Sequence, residues 1–383
     1  MNRFIPAAQA VYIHIPFCRQ KCHYCDFNTY AVQGQPVDEY LDALEREMER
    51  TVEQHPPGEI RSIFIGGGTP TILDARQMER LLDAVARHFP RRSADCEFTV
   101  EANPGTADLE KLEVMRAGGV NRLSFGAQAF QDRLLVSLGR IHGAEDVPAS
   151  VELARRAGFS NISIDLMFGL PRQTMADFEE SLERALGLDL THLSAYSLKV
   201  EENTLFHTLY ERGELPLPGE DTELGMYLAL IDRLTNAGYR HYEISNFALP
   251  DRESVHNMAY WRCLGYYGLG AGAHGYLGGV RHANIRGVRE YIRAARERLP
   301  VEELHEVDDR EAMEDFMMLG LRLMEGVSPA DFRERFGTDL EAVFARELDD
   351  LVRKGLLEFA GGRFRLTRRA IPVANEVFAR FVG

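Results

Sequence analysis

The segment VYIHIPFCRQKCHYC, residues 11–25, places three cysteines directly after a run of apolar and β-branched residues. The run at residues 11–15 predicts a β-strand that leads to the cysteines, because short runs rich in β-branched and aromatic residues are typical of strands. Cys18, Cys22 and Cys25 then follow within eight residues. A loop at the end of a strand that carries three thiols predicts a metal or cluster site.

The spacing of the cysteines favours a [4Fe–4S] cluster over zinc. Zinc takes four ligands and commonly pairs two cysteines with a distant second pair. Here the two remaining cysteines, Cys96 and Cys263, are single and far apart. A [4Fe–4S] cubane takes one thiolate per iron, so three cysteines would leave one iron open for a cofactor or substrate.

Length and composition indicate an ordinary globular chain of more than one domain. The chain has 383 residues, 45% of them hydrophobic, and a formal net charge of −15. A negative balance disfavours a broad nucleic-acid surface, because such binding depends on neutralising phosphates. An odd cysteine count without a recognisable secretion signal argues against a disulfide framework. We therefore expect a cytoplasmic protein with no nucleic-acid partner and no transmembrane segment.

Strand-like runs alternate with helical patterns through the first 240 residues. This alternation predicts β/α units and a parallel sheet. Six units in that length, with no dinucleotide fingerprint, favour a partial (β/α)6 TIM-like barrel, an α/β fold. The runs lie at residues 11–15, 62–65, 97–100, 122–125, 162–167 and 192–196.

Polar and glycine residues recur at the ends of these predicted strands. The carboxyl ends of the strands in a parallel barrel form the active-site face, so five strands would direct chemistry-bearing groups to one mouth. The groups are Cys18–Cys25, Gly66–Thr69, Glu101, Gln128 and Asp165.

The pattern changes twice after the predicted barrel, which we assign to residues 1–237. Residues 238–300 are rich in glycine, histidine and aromatic residues and form a connecting segment. Residues 301–383 predict helices followed by a β-wing, a small winged-helix-like domain. This domain has more acidic than basic residues, so we expect no DNA-reading role for it.

The motifs of the barrel resemble the radical S-adenosyl-L-methionine (SAM) superfamily. The resemblance rests on Tyr12, on Cys18-x-x-x-Cys22-x-Tyr24-Cys25 and on Gly66-Gly67-Gly68-Thr69-Pro70. More narrowly, nearly the whole chain resembles the oxygen-independent coproporphyrinogen III oxidase group and its haem (heme) chaperone branch. The resemblance implies a [4Fe–4S] cluster whose open iron binds SAM, and a 5′-deoxyadenosyl radical when an electron from the cluster cleaves SAM.

The resemblance also assigns roles to single residues at the barrel mouth. Glycines would let the backbone approach the methionine end of SAM, where a Cβ would collide. An arginine grips a carboxylate with two hydrogen bonds, and an aspartate accepts two ribose hydroxyls. The residues that the resemblance implies for SAM are Tyr12, Tyr24, Gly66, Gly67, Gly68, Thr69, Glu101, Gln128, Arg140 and Asp165.

A second informative stretch is His256-Asn257-Met258-Ala259-Tyr260-Trp261, which contains the only tryptophan. It resembles the His-Asn-x-x-Tyr-Trp motif of the haem-chaperone branch. Haem iron takes His, Cys, Met or Tyr as axial ligands, so His256 could ligate haem while Tyr260 and Trp261 pack against the macrocycle. A buried core histidine remains the alternative. The rival ligands nearby are Cys263, His274 and His282.

The leading functional hypothesis is a haem chaperone on a radical SAM scaffold. Its partners would be haem, an unidentified haem-acceptor protein at the membrane and a reductant for the cluster, and the chaperone would act in the cytoplasm or peripherally at the membrane. One alternative is oxygen-independent coproporphyrinogen III dehydrogenase, and another is a radical SAM methyltransferase or haem-opening enzyme that acts on a tetrapyrrole. Oxidases of this group carry a further cysteine after the cluster motif, where this chain has Asp26-Phe27. The departure disfavours porphyrinogen decarboxylation.

Overall fold

The computed structural model describes residues 8–383. The first seven residues, part of the predicted barrel domain 1–237, lie outside the described residues. The strands in chain order are β1 (Ala10–Ile15), β2 (Phe17–Cys18), β3 (Tyr30–Ala31), β4 (Ile60–Gly67), β5 (Arg92–Ala102), β6 (Arg122–Gln128), β7 (Asn161–Phe168), β8 (His192–Ser197), β9 (Arg240–Glu243), β10 (Asn246–Ala248), β11 (Tyr266–Leu269), β12 (His274–Leu277), β13 (Val280–Asn284), β14 (Val301–Glu306), β15 (Leu357–Ala360) and β16 (Arg363–Leu366).

The helices alternate with the strands and continue into the C-terminal part of the chain. In chain order they are α1 (Val37–Gln54), α2 (Ala75–His88), α3 (Leu109–Ala117), α4 (Asp132–Ser137), α5 (Asp146–Arg156), α6 (Met175–Leu186), α7 (Leu205–Glu211), α8 (Glu220–Asn236), α9 (Val255–Trp261), α10 (Val288–Glu297), α11 (Asp309–Gly320), α12 (Pro329–Phe336), α13 (Leu340–Arg353) and α14 (Ala374–Phe378). Short 3₁₀ turns lie at Pro70–Ile72, Arg368–Val373 and Ala379–Phe381.

Six parallel strands form the centre of a 12-stranded sheet. Their order is β1-β4-β5-β6-β7-β8, and each pairs in parallel with its neighbour. The strands at the two sheet edges, β14 and β9, do not pair with each other. The predicted partial barrel of β/α units is therefore confirmed: the sheet is open.

Local sequence explains where the barrel helices begin. Asp74 caps α2 by accepting a hydrogen bond from the backbone N–H of Gln77, whose side chain bonds back, and Thr174 and Asp177 repeat this arrangement at α6. Such capping boxes satisfy backbone donors that a helix start leaves unpaired. The buried positions of α2 include Met78, Leu81 and Val85, which share one face and pack on the sheet. The turns that lead from the strands into α2 and α6 therefore end at defined residues.

The predicted connecting segment, 238–300, widens the sheet on both sides. Strand β10 pairs antiparallel with β8, whereas β11 pairs in parallel with β1. Strands β12 and β13 continue from β11, and β14, which follows residue 300, pairs with β13. The segment is therefore integrated in the sheet, and the sheet continues a few residues past the predicted domain boundary at 301.

Helix α9 closes the amino-terminal end of the barrel. Its first backbone N–H groups, those of Val255 and His256, donate to the Glu97 carboxylate at 3.2 Å each. Glu97 lies in β5 and is buried beside Arg122 at the start of β6, with 3.9 Å between Glu97 Oε2 and Arg122 Nε. A carboxylate at a helix start complements the positive end of the helix dipole. The start of the His-Asn-x-x-Tyr-Trp stretch therefore lies at the opposite end of the barrel from the cysteine loop, whereas Tyr260 lines a cavity that reaches Phe27 and Glu101.

The C-terminal part has helices followed by a two-stranded hairpin. Strands β15 and β16 pair antiparallel from Leu357 with Leu366 to Ala360 with Arg363. The predicted β-wing after the long helix is confirmed. Ser328 caps α12 and Pro329 occupies its first turn, as expected for a residue without a backbone N–H. In the part of the chain that the structure describes, no helix combines the length and apolar character needed to cross a membrane.

Candidate functional site

The barrel mouth brings most of the predicted SAM and cluster residues around one pocket. The pocket has a volume of about 120 Å³. Of the predicted residues, those that line it are Cys18, Cys22, Cys25, Tyr24, Gly67, Gly68, Thr69, Glu101, Gln128, Arg140 and Asp165. Tyr12 and Gly66 do not line it.

Two of the hydrogen bonds that hold the cysteine loop at the mouth go to cysteine sulfurs. Thr69 Oγ1 donates to Cys18 Sγ at 3.5 Å, and Arg140 Nη1 donates to Cys22 Sγ at 3.6 Å. Burial raises the pKa of the Cys18 thiol, and burial raises the pKa of Cys25 to about 11. The two thiols are therefore protonated near neutral pH until a bound metal displaces the proton.

The thiols fit a multinuclear cluster better than a single ion. Within residues 8–383, no three His, Cys, Asp or Glu side chains converge closely enough to ligate one metal ion. A cubane does not require that convergence, because each thiolate binds a different iron. The buried Nε of Arg140 and Oγ1 of Thr29, both residues of the pocket wall, have no hydrogen-bond partner among the described residues. The donor set and these unpaired polar atoms fit a polar cofactor at the mouth.

Two buried carboxyl groups give the pocket its electrostatic character. Burial, with the nearby charge of Asp165 as a second cause, raises the pKa of Glu101 to about 7. Burial also raises the pKa of Asp165, although Ser124 Oγ donates to its Oδ1 at 3.3 Å. Two carboxyl groups that repel each other in a buried pocket are stabilised by a cationic ligand with hydroxyls. SAM has a sulfonium, an ammonium and a ribose diol, so its chemistry matches this pocket.

Arg140 and Gln128 are positioned by the backbone of β6. Arg140 Nη2 donates to Gly126 O at 2.6 Å and to Asn103 Oδ1 at 2.5 Å. The pairing of β6 with β7 shifts register between Gly126 and Gln128, and Gln128 has a positive φ of 66°. A bulge of this kind redirects a side chain and is frequent beside active sites. The bulge aims Gln128 into the pocket.

Close packing against neighbouring residues explains why positions 66–68 are glycines. A Cβ on Gly66 would lie 2.6 Å from Glu101 Oε2, one on Gly67 2.4 Å from the His14 ring, and one on Gly68 2.6 Å from Phe17 O. Gly67 also has a φ of 107°, which other residues rarely adopt. The end of β4 therefore packs against β1, β5 and the start of the cysteine loop without room for side chains.

The two tyrosines of the predicted SAM set lie on different sides of the mouth. Tyr24 lines the mouth pocket and its ring centroid is 6.5 Å from that of Phe206. Tyr12 lies in β1, and its hydroxyl is 2.9 Å from His14 Nδ1. Burial raises the pKa of both hydroxyls. Tyr12 lines a second cavity of about 530 Å³, which shares Gly67 and Glu101 with the mouth pocket.

Sequence reasoning missed Asn103, which joins two predicted site residues. Its Nδ2 donates to Thr69 Oγ1 at 2.8 Å, while its Oδ1 accepts from Arg140. The signal was present: Asn103 follows Glu101 by two positions, and alternate residues of an extended chain face the same side. Other wall residues that were not predicted are Gln20, Phe27, Thr29, Ala102, Ser124 and Gly126.

The three haem candidates on α9 lie in three different environments. His256 is buried, with Nδ1 3.1 Å from Ser62 Oγ and Nε2 2.8 Å from Tyr260 OH. Its ring stacks on Phe64 at a centroid distance of 5.0 Å, and burial lowers its pKa to about 3. Tyr260 lines the second cavity, whereas the Trp261 ring has the Arg322 guanidinium 4.3 Å from its centroid. Both ring nitrogens of His256 are thus engaged within the barrel.

The rival ligands are also separated. His274 is exposed in β12 and lines the second cavity. His282 Nε2 is 3.1 Å from Gly268 O, so this nitrogen is occupied by the backbone. Cys263 is buried, and burial raises the pKa of its thiol to about 12. Among these three residues, His274 has the ring most accessible to a ligand at the mouth.

Comparison with known proteins agrees with this geometry. Residues 12–185 match the Radical SAM superfamily, and residues 307–373 match the HemN C-terminal domain. The structure of coproporphyrinogen III oxidase (HemN) from Escherichia coli, a radical SAM enzyme, superposes with a TM-score of 0.87 at 25% identity, covering 99% of this chain and 91% of that chain.

Two curated relatives are similar over almost their whole length. Heme chaperone HemW of Bacillus subtilis (strain 168) is 47% identical, with 98% of this chain and 99% of the relative covered. Heme chaperone HemW of Escherichia coli (strain K12) is 35% identical, with 98% of each chain covered. The resemblance stated from the sequence motifs is confirmed, and the chain belongs to the HemW family of the radical SAM superfamily.

Proposed function

We propose that this protein is a haem chaperone, which binds haem and transfers it to an acceptor protein. The observation that carries the proposal is the near full-length similarity to relatives named heme chaperone HemW, 47% identical in one case. The replacement of the oxidase group's additional cysteine by Asp26-Phe27 after Cys25 supports the same choice.

The mouth pocket, together with the adjoining second cavity that Tyr12 lines, would hold the two cofactors. Cys18, Cys22 and Cys25 would ligate three irons of a [4Fe–4S] cluster. When bound, the cluster and SAM supply one-electron chemistry at the mouth. Glu101 and Asp165 would neutralise the sulfonium and hold the ribose hydroxyls, and their burial would exclude water from the ligand. The remaining proposed contacts to SAM are Tyr12, Tyr24, Gly66, Gly67, Gly68, Thr69, Gln128 and Arg140.

The segment that contains His256, Tyr260 and Trp261 would bind the haem cargo. Ligation of iron by His256 would require its Nε2 to leave the Tyr260 hydroxyl, 2.8 Å away, or its Nδ1 to leave Ser62. Both hydrogen bonds stabilise a buried neutral ring. Each of the three side chains therefore needs its own variant in a haem-binding measurement.

The acceptor we propose is a haem protein at the membrane, with the chaperone acting from the cytoplasm as a peripheral partner. A reductant for the cluster is a further proposed partner. The C-terminal stretch 353–383 has seven basic and two acidic residues. A local positive charge of this kind supports contact with an anionic surface.

A second candidate function is oxygen-independent oxidation of coproporphyrinogen III. The observation in its favour is the superposition on the HemN structure, with a TM-score of 0.87. This function requires decarboxylation of two propionates to vinyl groups, with SAM as oxidant. Shared fold alone does not transfer an activity, so turnover has to be measured directly.

One experiment separates the two functions. The anaerobic protein with reconstituted cluster and SAM receives coproporphyrinogen III in one reaction and haem in another. We expect stable haem binding, transfer of that haem to an apo-haem protein, and no protoporphyrinogen. Protoporphyrinogen formation with SAM cleavage would instead establish the oxidase function. Failure to bind haem would remove the chaperone proposal.

A further inference from the structure

A cavity of about 880 Å³ lies against the outer side of α9, at the closed end of the barrel. Its wall includes Ser62 at the start of β4 and Tyr242 in β9. It lies at the amino-terminal end of the strands, opposite the cysteine loop. Small-molecule and cofactor sites in proteins occupy roughly 300–1,000 Å³, so the cavity has room for a large ligand.

Helix α9 presents different residues to the barrel and to this cavity. His256 and Tyr260, four positions apart, face the barrel interior. Val255, Met258 and Ala259 line the cavity. Residues three and four apart share one face of a helix, so the motif helix has two working faces. The motif therefore positions a second surface whose own residues are not part of the His-Asn-x-x-Tyr-Trp pattern.

We propose that this cavity, bounded by α9, β9 and the segment after α11, is the binding site for the haem cargo, with Met258 facing the iron. The inference rests on the proposed chaperone function, which requires a haem site. It places haem at the far end of the barrel from the cluster, and it gives the motif helix the role of supporting that site.

The residues that line the cavity leave a thioether as the iron ligand, because the tyrosine hydroxyls and the histidine of the wall already have partners. Tyr242 and Tyr239 line the cavity, but the Tyr242 hydroxyl is 2.8 Å from His192 Nε2 and the Tyr239 hydroxyl donates to Leu190 O at 2.6 Å. His241 stacks on Phe247 at 4.4 Å, with its Nε2 3.3 Å from Ile244 O.

The two methionines of the wall, Met258 and Met324, are half-buried and come from different elements. Methionine sulfur is an axial ligand of haem iron, and a flexible thioether adapts to a flat macrocycle. Met258 lies on the motif helix itself, which is why it is placed opposite the iron. Met324 would close the cavity from the side of the C-terminal domain.

The polar rim can receive the two haem propionates. Arg61, Arg240 and Arg262 line the cavity. Arg240 and Arg262 pair with Glu253 at 3.6 Å and Glu325 at 3.2 Å.

The pair of Arg262 with Glu325 and that of Arg61 with Asp95 at 3.9 Å are solvent-exposed, and in the third pair Arg240 is exposed while Glu253 is half-buried. Exposed pairs contribute little to stability, so a propionate can replace a protein carboxylate at small cost. The guanidinium then gains a bidentate partner. The rim also carries acidic residues, among them Asp251. Their negative charge repels a compact polyanion, so the rim favours a ligand with two separated carboxylates.

The test titrates hemin into the full-length, cluster-reconstituted protein and follows the Soret band. Met258→Leu should weaken hemin binding by at least about tenfold in Kd and remove the spectral signature of thioether ligation. The matched control Met318→Leu, on α11 and away from the cavity, should leave both unchanged. Thermal unfolding of each variant verifies that the fold is intact.

A second comparison tests the propionate contacts with surface variants that do not threaten folding. Arg262→Gln and Arg240→Gln should weaken binding of hemin but not of its propionate dimethyl ester. Loss of hemin binding in His274→Gln or His256→Phe, with Met258→Leu and the arginine variants unaffected, would overturn the proposal and place haem at the mouth or in the barrel. A wild-type protein that binds no haem would instead refute the chaperone function itself.

Discussion

Glu101 Oε2 accepts a hydrogen bond of 3.0 Å from the backbone N–H of Gly67 at the mouth of the barrel. The bond joins the end of β5 to the end of β4, which are paired strands. It occupies one oxygen of a buried carboxyl group that lines the mouth pocket. This hydrogen bond therefore couples the glycine turn to the Glu101 carboxylate, and a substitution at either residue tests the contact.

Binding of SAM should depend on pH through Glu101. The pKa of this group is raised to about 7, so below that pH it is protonated and a cationic ligand must displace a proton. Affinity should rise with pH by at most about tenfold per unit below 7 and level off above it. Isothermal titration of the cluster-loaded protein at pH 6 and 8, in buffers of different ionisation enthalpy, measures both affinity and proton release.

The control for this titration is Glu101→Gln, which keeps the shape and removes the titrating group. Its SAM affinity should be lower at pH 8 and should vary less between pH 6 and 8 than that of the wild type. A variant that reproduces the wild-type pH profile would show that another group titrates. The ligand's own ionisation is common to both proteins and cancels in the comparison.

Gly67→Ala should destabilise the protein. Its φ of 107° and a Cβ only 2.4 Å from the His14 ring impose strain and a clash together. Backbone strain of this kind costs about 1–3 kcal/mol, and the overlap adds to it. Urea unfolding of the cluster-free protein measures the loss. Gly58→Ala, where a Cβ would meet nothing within 4 Å, is the matched control and should change stability little.

Cys22→Ser should prevent assembly of the cluster. The wild type, reconstituted anaerobically, should hold about four irons and four sulfides per chain, as a cubane requires. Serine removes one of three thiolate ligands and leaves Arg140 without its sulfur partner. Iron and sulfide analysis with electron paramagnetic resonance measures the result. Cys96→Ser should retain the cluster, and an intact cubane in Cys22→Ser would contradict the assignment.

Glu97→Gln should loosen the helix that closes the barrel. The carboxylate accepts hydrogen bonds from Val255 N and His256 N and lies beside buried Arg122. Removal of one partner from a buried ion pair costs about 3–5 kcal/mol, because the other charge is left uncompensated. Denaturant unfolding measures this loss. The exposed Glu59→Gln should stay within about 0.5 kcal/mol of the wild type.

The barrel mouth could be predicted because its residues occupy the ends of successive strands. In a parallel sheet those ends meet on one side, so strand order and strand ends suffice to bring Cys18, Glu101 and Asp165 together. The prediction did not extend to Asn103, whose role depends on the position of Arg140 across the pocket. Such a contact depends on side-chain direction in three dimensions.

The α9 segment shows the opposite case. Read along the chain, His256, Tyr260 and Trp261 form one motif, but the folded helix turns them toward the barrel interior, the second cavity and Arg322. Helical geometry fixes the angles between these residues. What surrounds each face of α9 depends on residues of distant strands, such as Glu97 and Ser62. The closure of the barrel by this helix could not be deduced from local pattern.

The sequence by itself determined the fold class and which residue types lie at the strand ends, because periodicity, strand-end residues and cysteine spacing are local properties. Only the tertiary structure decided how Asn103 joins Arg140 to Thr69, how burial shifts the pKa of Glu101, and which face of α9 meets a cavity. These depend on residues far apart in the chain, such as Gly67 with Glu101 and Met258 with Met324. Packing of the whole domain sets their distances and removes their water.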